Sequence, residues 1–311
     1  MHKYRVSFLA CLLLAGSAGA MPAAPLGMYL GPGCVGVKRV ESFGKWLGRK
    51  PERASDFFSD HSWLEMAKAA ERSTRCWTPT GFAMSFALPM LPRDKSSTLA
   101  RGAAGEYDQH FVKIAEILVR NGQANAVVRV GWEFNNTWFV WRADTDPVAW
   151  VAYWRRIVTA MRSVAGANFK FDWCTAWSEG KIAPTEVYPG DAYVDIIGMD
   201  VYNTSWNPRT PQERWLLKLN APYGLKWQKE FAAARGKPVS FPEWGTGTRP
   251  DGRGGGDDPY YVRKMAEWIA SSNVAYHNYW DFPAPDFNAI LSDGSKPEAA
   301  AAFLETFGGP R

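Results

Sequence analysis

Short apolar runs of strand length alternate with amphipathic helical patterns along the chain, and this alternation limits the fold more than any single motif does. Runs of this kind centre on residue 28 (LGMYLG) and residue 56 (ASDFFS), and cover 82–88, 126–134, 169–177, 194–202, 238–244 and 275–282. Between them Phe111, Ile114, Ala115 and Leu118 recur at helical spacing, as do Trp150, Trp154, Ile157, Val158 and Met161, and then Val262, Met265, Ala266 and Ile269. A buried strand followed by a helix with one apolar stripe is a βα unit of a parallel sheet. Asp146-Pro147 and Asp258-Pro259 precede the last two stripes, each reading as an N-cap acid with proline at the first helical position. Eight such units, with no linker or repeat to divide them, predict one (β/α)8 barrel over residues 21–311.

The first twenty residues stand apart from that pattern. A basic start (His2, Lys3, Arg5), an apolar stretch from Val6 to Gly16 and the small residues Ala18-Gly19-Ala20 have the layout of a secretory signal over 1–20. The mature chain would begin at Met21 and work outside the cytoplasm, secreted or periplasmic, with no stable membrane insertion. Its loss takes away Lys3 and Arg5 and no acid, so the formal charge falls from +5 by two, to +3. So mild an excess gives no reason to expect a nucleic-acid partner. Of the four cysteines, Cys11 lies in the signal, Cys174 sits inside an apolar run as a small hydrophobe, and Cys34 and Cys76 could pair in an oxidising compartment. No Cys or His spacing suggests zinc, and no G-x-S-x-G elbow accompanies the four histidines. Neither a metal nor another cofactor is expected. The glycine-rich stretch 252–261 lacks the lysine and serine of a phosphate loop and reads as a mobile loop beside the site. Nothing points to an oligomer, and a monomer is the simplest expectation.

Chemistry enters with two glutamates. Glu133 ends the apolar run AVVRVGWEF and Glu243 ends KPVSFPE, the fourth and seventh runs in order. If the strands close in sequence, both carboxyls stand on the carboxyl-terminal rim, across one cleft. Glycosidic cleavage needs that pair: one group protonates the departing oxygen, and the other meets the positive charge at the anomeric carbon. Arg129 is a charge inside a buried run and predicts a hydrogen bond to a site carboxylate.

Three segments, RVGWEFNNTWFVW (129–141), VDIIGMDVYN (194–203) and KPVSFPEWG (237–245), resemble family 26 of the glycoside hydrolases, whose best-known members are β-mannanases. The resemblance runs over nearly the whole mature chain. It implies retaining hydrolysis of a β-linked polysaccharide in a (β/α)8 barrel, with Glu133 as acid/base and Glu243 as nucleophile. It also implies that Tyr202 donates a hydrogen bond to the nucleophile and that Trp280, ending the eighth run, floors the subsite of the cleaved sugar. The family's mannanases usually carry histidine immediately before the acid/base glutamate, where this chain has Trp132. That exchange leaves one donor and a broad apolar face at this position.

Among the remaining candidates, Asn135 could bond a sugar hydroxyl, orient Glu133 or cap its loop. Trp138, Trp141, Trp177 and Trp244 offer flat faces for pyranose rings, with at least one of the first two expected to pack beneath its loop. Sixteen tryptophans exceed what core packing alone ordinarily selects. Asp200 and Asp281 sit near run ends and could bind sugar or pair with Arg129. Asp172 and Asp195 look structural, and Glu179 a solvated loop acid. The reading is thus a secreted retaining glycosidase, first on β-1,4-mannan. Two alternatives stand beside it: the same machinery on another β-glycan (β-glucan, xylan or an exopolysaccharide), and a barrel that binds glycan without cutting it. Glu133 must hold a proton near neutral pH while Glu243 stays ionised.

Overall fold

Eight parallel strands close into a barrel in the order of the sequence, β1 pairing with both β2 and β8. They are β1 (Leu26–Tyr29), β2 (Arg53–Phe57), β3 (Ala83–Leu88), β4 (Val127–Val130), β5 (Lys170–Ala176), β6 (Ile196–Tyr202), β7 (Val239–Gly245) and β8 (Val274–Trp280). This computed structural model describes residues 24–177 and 180–310. The expected signal over 1–20 and the loop acid Glu179 lie outside the described residues. Each of the eight apolar runs overlaps a strand. The fourth is shorter than its run, because the chain leaves the sheet at Val130.

Helices wrap the outside. α1 (Gly33–Leu47) and α2 (Trp63–Trp77) follow β1 and β2, and α3 (Leu99–Ala103) and α4 (Asp108–Arg120) follow β3. α5 (Pro147–Arg162) follows β4, α6 (Pro211–Asn220) and α7 (Leu225–Ala233) follow β6, and α8 (Pro259–Ala270) and α9 (Pro297–Phe307) follow β7 and β8. The stripes do what their spacing requires: α5 buries Trp150, Trp154, Ile157, Val158 and Met161 against the sheet. Asp146 accepts from Ala149 N at 3.0 Å and Asp258 from Tyr261 N at 3.1 Å, so both are N-caps. Between β5 and β6 the described residues form only a 3-10 turn, Pro184–Val187. Pro184, Pro189, Gly180 and Gly190 interrupt that stretch, and no apolar stripe runs through it.

The barrel interior is polar as well as apolar. Asp172 of β5 is buried and accepts from Ser240 Oγ and Tyr276 OH, both at 2.6 Å. Gly198 on β6 makes room for it, since a Cβ there would lie 2.2 Å from Asp172 Oδ1. Asp195 accepts from Phe171 N and Arg162, so both aspartates are structural. Cys34 at the start of α1 and Cys76 near the end of α2 form a disulfide, and Cys174 is free and buried. Among the described residues no helix is long and apolar enough to cross a membrane, and no group of three His, Cys, Asp or Glu is placed to hold a metal ion.

Candidate active site

Past Val130 the chain turns sharply. Gly131 takes φ 52°, and a Cβ on it would meet Met90 Sδ at 2.4 Å, so only glycine fits. Two residues on, Glu133 itself takes φ 53°, a left-handed conformation that costs a side chain about 1–2 kcal/mol. The turn survives because its neighbours hold it. Glu133 N donates to Cys174 O at 2.9 Å, Ala143 N to Phe134 O at 2.9 Å, and the buried Phe134 ring wedges between Trp150 and Trp173. The result presents the Glu133 carboxyl to a cleft of about 920 Å3 at the carboxyl-terminal mouth of the barrel.

Glu243 reaches the same cleft from inside β7. Tyr202 OH donates to its Oε2 at 2.8 Å and Arg129 to its Oε1 at 2.9 Å. The same guanidinium nitrogen donates to Asp200 Oδ2 at 2.5 Å, so Arg129 binds two carboxyls from beneath. Arg129 is fully buried and offers no surface to a sugar. Arg129 thus makes the bond to a site carboxylate that a charge inside a buried run implied, and it is not itself a sugar-binding residue but works through Glu243 and Asp200. Asp200 lines the cleft. Burial pushes its carboxyl well up despite Arg129, and the charges of Glu243 and Glu133 add to the rise.

Glu133 lives in different surroundings. Burial, then the nearby charge of Glu243, push its carboxyl up to about 8, against the opposing pull of Arg129 and of hydrogen bonds from Trp138 and Asn136. A group held there carries its proton at neutral pH. The pair therefore combines a protonated carboxyl with one whose two donors suit an anion, the division that acid-assisted displacement at an acetal carbon requires.

The aromatic candidates separate by which way they face. Trp280 lines the cleft, stacked on Tyr29 with ring centres 4.2 Å apart and edge-on to Tyr202 and Phe57. Trp132 forms the adjacent wall, against Phe57 and Phe139. Trp138 is 62% exposed at the cleft and donates to Glu133 Oε2 at 3.2 Å. Trp177 lines the β5 side, half-buried.

Two of the candidate tryptophans do not reach the cleft, and Trp141 is the one of its pair with Trp138 that packs beneath the loop, as expected of at least one of them. Trp141 is fully buried behind Trp132, donating to the Trp132 carbonyl at 3.0 Å and stacking on Phe139. Trp244 is fully buried on the helix side of β7, against Tyr279 and Phe303, with its N–H on His277 Nδ1. Successive strand residues point to opposite faces, so a Glu243 that looks inward sends Trp244 outward.

Asn135 touches the cleft, but its amide faces the barrel wall. Its Nδ2 donates to Ala176 O and its Oδ1 accepts from Ala176 N, both at 2.9 Å, which fastens the Glu133 turn to the end of β5. Asp281 does neither of the things expected of it. It accepts from Leu291 N, Ser292 N and Ser292 Oγ and closes the loop after β8. The 252–261 loop is pinned rather than loose: Gly255 N donates to Asn203 O at 2.7 Å and Gly256 N to Gly247 O at 2.8 Å. Cleft residues not anticipated include Phe57, Asn136, Thr204, Trp206, Lys181, Arg249 and Phe287. Of these, Phe57 shares β2's alternation with buried Ser55, which was a readable signal, whereas the loop residues had none.

A sequence model of glycosyl hydrolase family 26 matches residues 84–241, just over half of the 311-residue chain. The match takes in Glu133, Asp200 and Tyr202 and stops two residues before Glu243. No curated protein sequence matches the chain. Among solved structures, the YdhT protein from Bacillus subtilis is 14% identical, with a TM-score of 0.65 over 92% of this chain and 86% of its own. The catalytic domain of the Bacillus sp. JAMB-750 endo-β-1,4-mannanase is 19% identical, with a TM-score of 0.65 over 92% and 85%. A Cellulomonas fimi endo-β-1,4-mannanase double mutant is 17% identical, with a TM-score of 0.66 over 93% and 71%. At such identities the likeness is one of fold. The family match rests on the sequence itself, running from the third strand into the seventh, and by it the chain belongs to glycosyl hydrolase family 26.

Proposed function

We propose that the protein is a secreted, retaining endo-glycosidase that cleaves β-1,4-mannan, with Glu133 as acid/base and Glu243 as nucleophile. One observation carries the reading: two carboxyls share one cleft, one pushed up to about 8 and the other gripped by a tyrosine and an arginine. In the first step a Glu243 oxygen attacks the anomeric carbon while the Glu133 proton passes to the leaving oxygen. The glycosidic bond breaks as the ester forms. In the second, Glu133, now a carboxylate, takes a proton from water, whose oxygen displaces Glu243 and restores the starting configuration. Tyr202 and Arg129 take up the negative charge that returns to Glu243 as it leaves.

Mannan is the first substrate because two of the solved relatives are endo-β-1,4-mannanases by name. Internal attack is supported by Trp138 and Trp206, 62% and 66% exposed along the cleft, which suit a chain continuing past the site. The amino-terminal pattern supports export with cleavage before Met21, to a secreted or periplasmic location. A second reading keeps the mechanism and changes the glycan to a β-glucan, xylan or exopolysaccharide, and Trp132 favours it by facing the cleft with an indole. Reducing-sugar release from a panel of these polysaccharides, with a time course on mannohexaose, separates the two. Release from mannan with internal products of mannohexaose supports the first. Release from another glycan alone supports the second. Binding with no release from any of them overturns both in favour of a non-catalytic barrel.

A further inference from the structure

Lys218, on α6, is fully buried, and the chemistry above makes no use of it. Among the described residues it has no ion pair with a carboxylate, and its charged neighbour is another cation, Arg214. Its ammonium instead lies 3.7 Å from the ring centre of Trp177 and donates to Thr204 O at 3.1 Å. Trp177 Nε1 donates back to the Lys218 carbonyl at 3.2 Å. One residue therefore grips the indole by its face and by its edge. Both Trp177 and Thr204 line the cleft, and Lys218 does not.

Burying an ammonium without a counter-ion is costly, and a methionine would fill the same space without that cost. Burial, and then Arg214, push this ammonium down to about 7. In its charged form the side chain holds the ring through a desolvated cation–π contact, and in either form its nitrogen can donate to the Thr204 carbonyl. The β5–β6 connection gives Trp177 no helix of its own to lean on among the described residues, and α6 supplies the support from the next unit.

We infer that Lys218 is a positioning residue that fixes Trp177 as a stacking platform for a sugar ring on the β5–β6 side of the cleft, without touching the sugar itself. The inference rests on the mannanase reading and deepens it, because it assigns part of the affinity for long substrates to a residue outside the cleft. The platform acts on bound sugar before and during the reaction alike, so its loss must appear in KM rather than kcat.

The test is a double-mutant cycle on mannohexaose. Lys218→Met removes charge and donor at nearly constant volume, and Lys218→Gln keeps a donor for the Thr204 carbonyl. Each is made alone and with Trp177→Ala, with Tm recorded. Lys218→Met raises KM about five- to tenfold with kcat within about twofold, and Lys218→Gln moves KM in the same direction by less. The double variants are no worse than Trp177→Ala alone, since Lys218 acts only through the ring. Unchanged KM in either folded Lys218 variant overturns the inference, and so do effects that multiply in the double variants. An unaltered protein that leaves mannohexaose intact defeats the mannanase reading and the platform with it, whereas a cleaving enzyme whose variants keep KM defeats the platform alone.

Discussion

Glu133 and Glu243 are the same side chain on the same barrel rim, and the protein treats them in opposite ways. Glu243 stays within its strand, at a point where the pairing with β8 shifts register between Phe241 and Trp244, and is buried with donors on both oxygens. Glu133 sits three residues beyond its strand in a left-handed turn, with Trp138 as the donor on Oε2. The first arrangement makes a rigid anion cradle. The second makes a carboxyl that keeps its proton, because burial and a facing anion outweigh its few donors. Roles that residue type leaves identical are assigned by backbone and neighbours.

The contrast breaks most sharply at Glu243. Glu243→Ala is expected to lower kcat by several orders of magnitude, with azide restoring turnover as a glycosyl azide of inverted configuration. Wild-type turnover in that variant removes Glu243 from the mechanism. Glu133→Ala is expected to cost about 10²–10⁴-fold on polysaccharide and far less on a dinitrophenyl glycoside, whose leaving group needs no proton. Equal losses on both substrates would mean that Glu133 is not the acid.

A smaller effect probes the cradle. Tyr202→Phe removes a hydrogen bond to a charged group and is expected to lower kcat by about 10–100-fold, measured on mannohexaose at neutral pH. The pH profile sharpens the other side. Glu133 acts as the acid only while protonated, and its carboxyl is raised to about 8, so on the alkaline side the rate falls as pH rises through that value. Trp138→Phe takes away a bond that pulls Glu133 down, so its alkaline limb moves upward. A limb that stays in place or moves down contradicts the role given to Trp138.

Much of this was legible in the sequence, and the limits are instructive. The barrel could be read because strands buried on both faces appear as apolar runs, and both glutamates stood where such runs end. Arg129 could be read as a partner of a site carboxylate because a lone charge inside a buried run needs one. The left-handed turn at Glu133 could not, since no pattern of residue types marks a glutamate forced to positive φ by Gly131 before it and Phe134 wedged after it. Trp244 was readable in principle from its alternation with Glu243. Trp141 was not, because whether it faces the cleft depends on Trp132 and Phe139 lying over it. Asn135 fits a sugar, a carboxyl or a backbone equally well by composition, and only the position of Ala176 decides among them.

The central claim is that Glu243 bonds covalently to the sugar while Glu133 shuttles the proton. Treating the enzyme with an activated 2-deoxy-2-fluoroglycoside of the sugar it cleaves, then mapping the digest by mass spectrometry, tests it most directly. A single glycosylated peptide with the sugar on Glu243 is expected. A label on any other residue, or no covalent adduct together with products of inverted configuration, contradicts it.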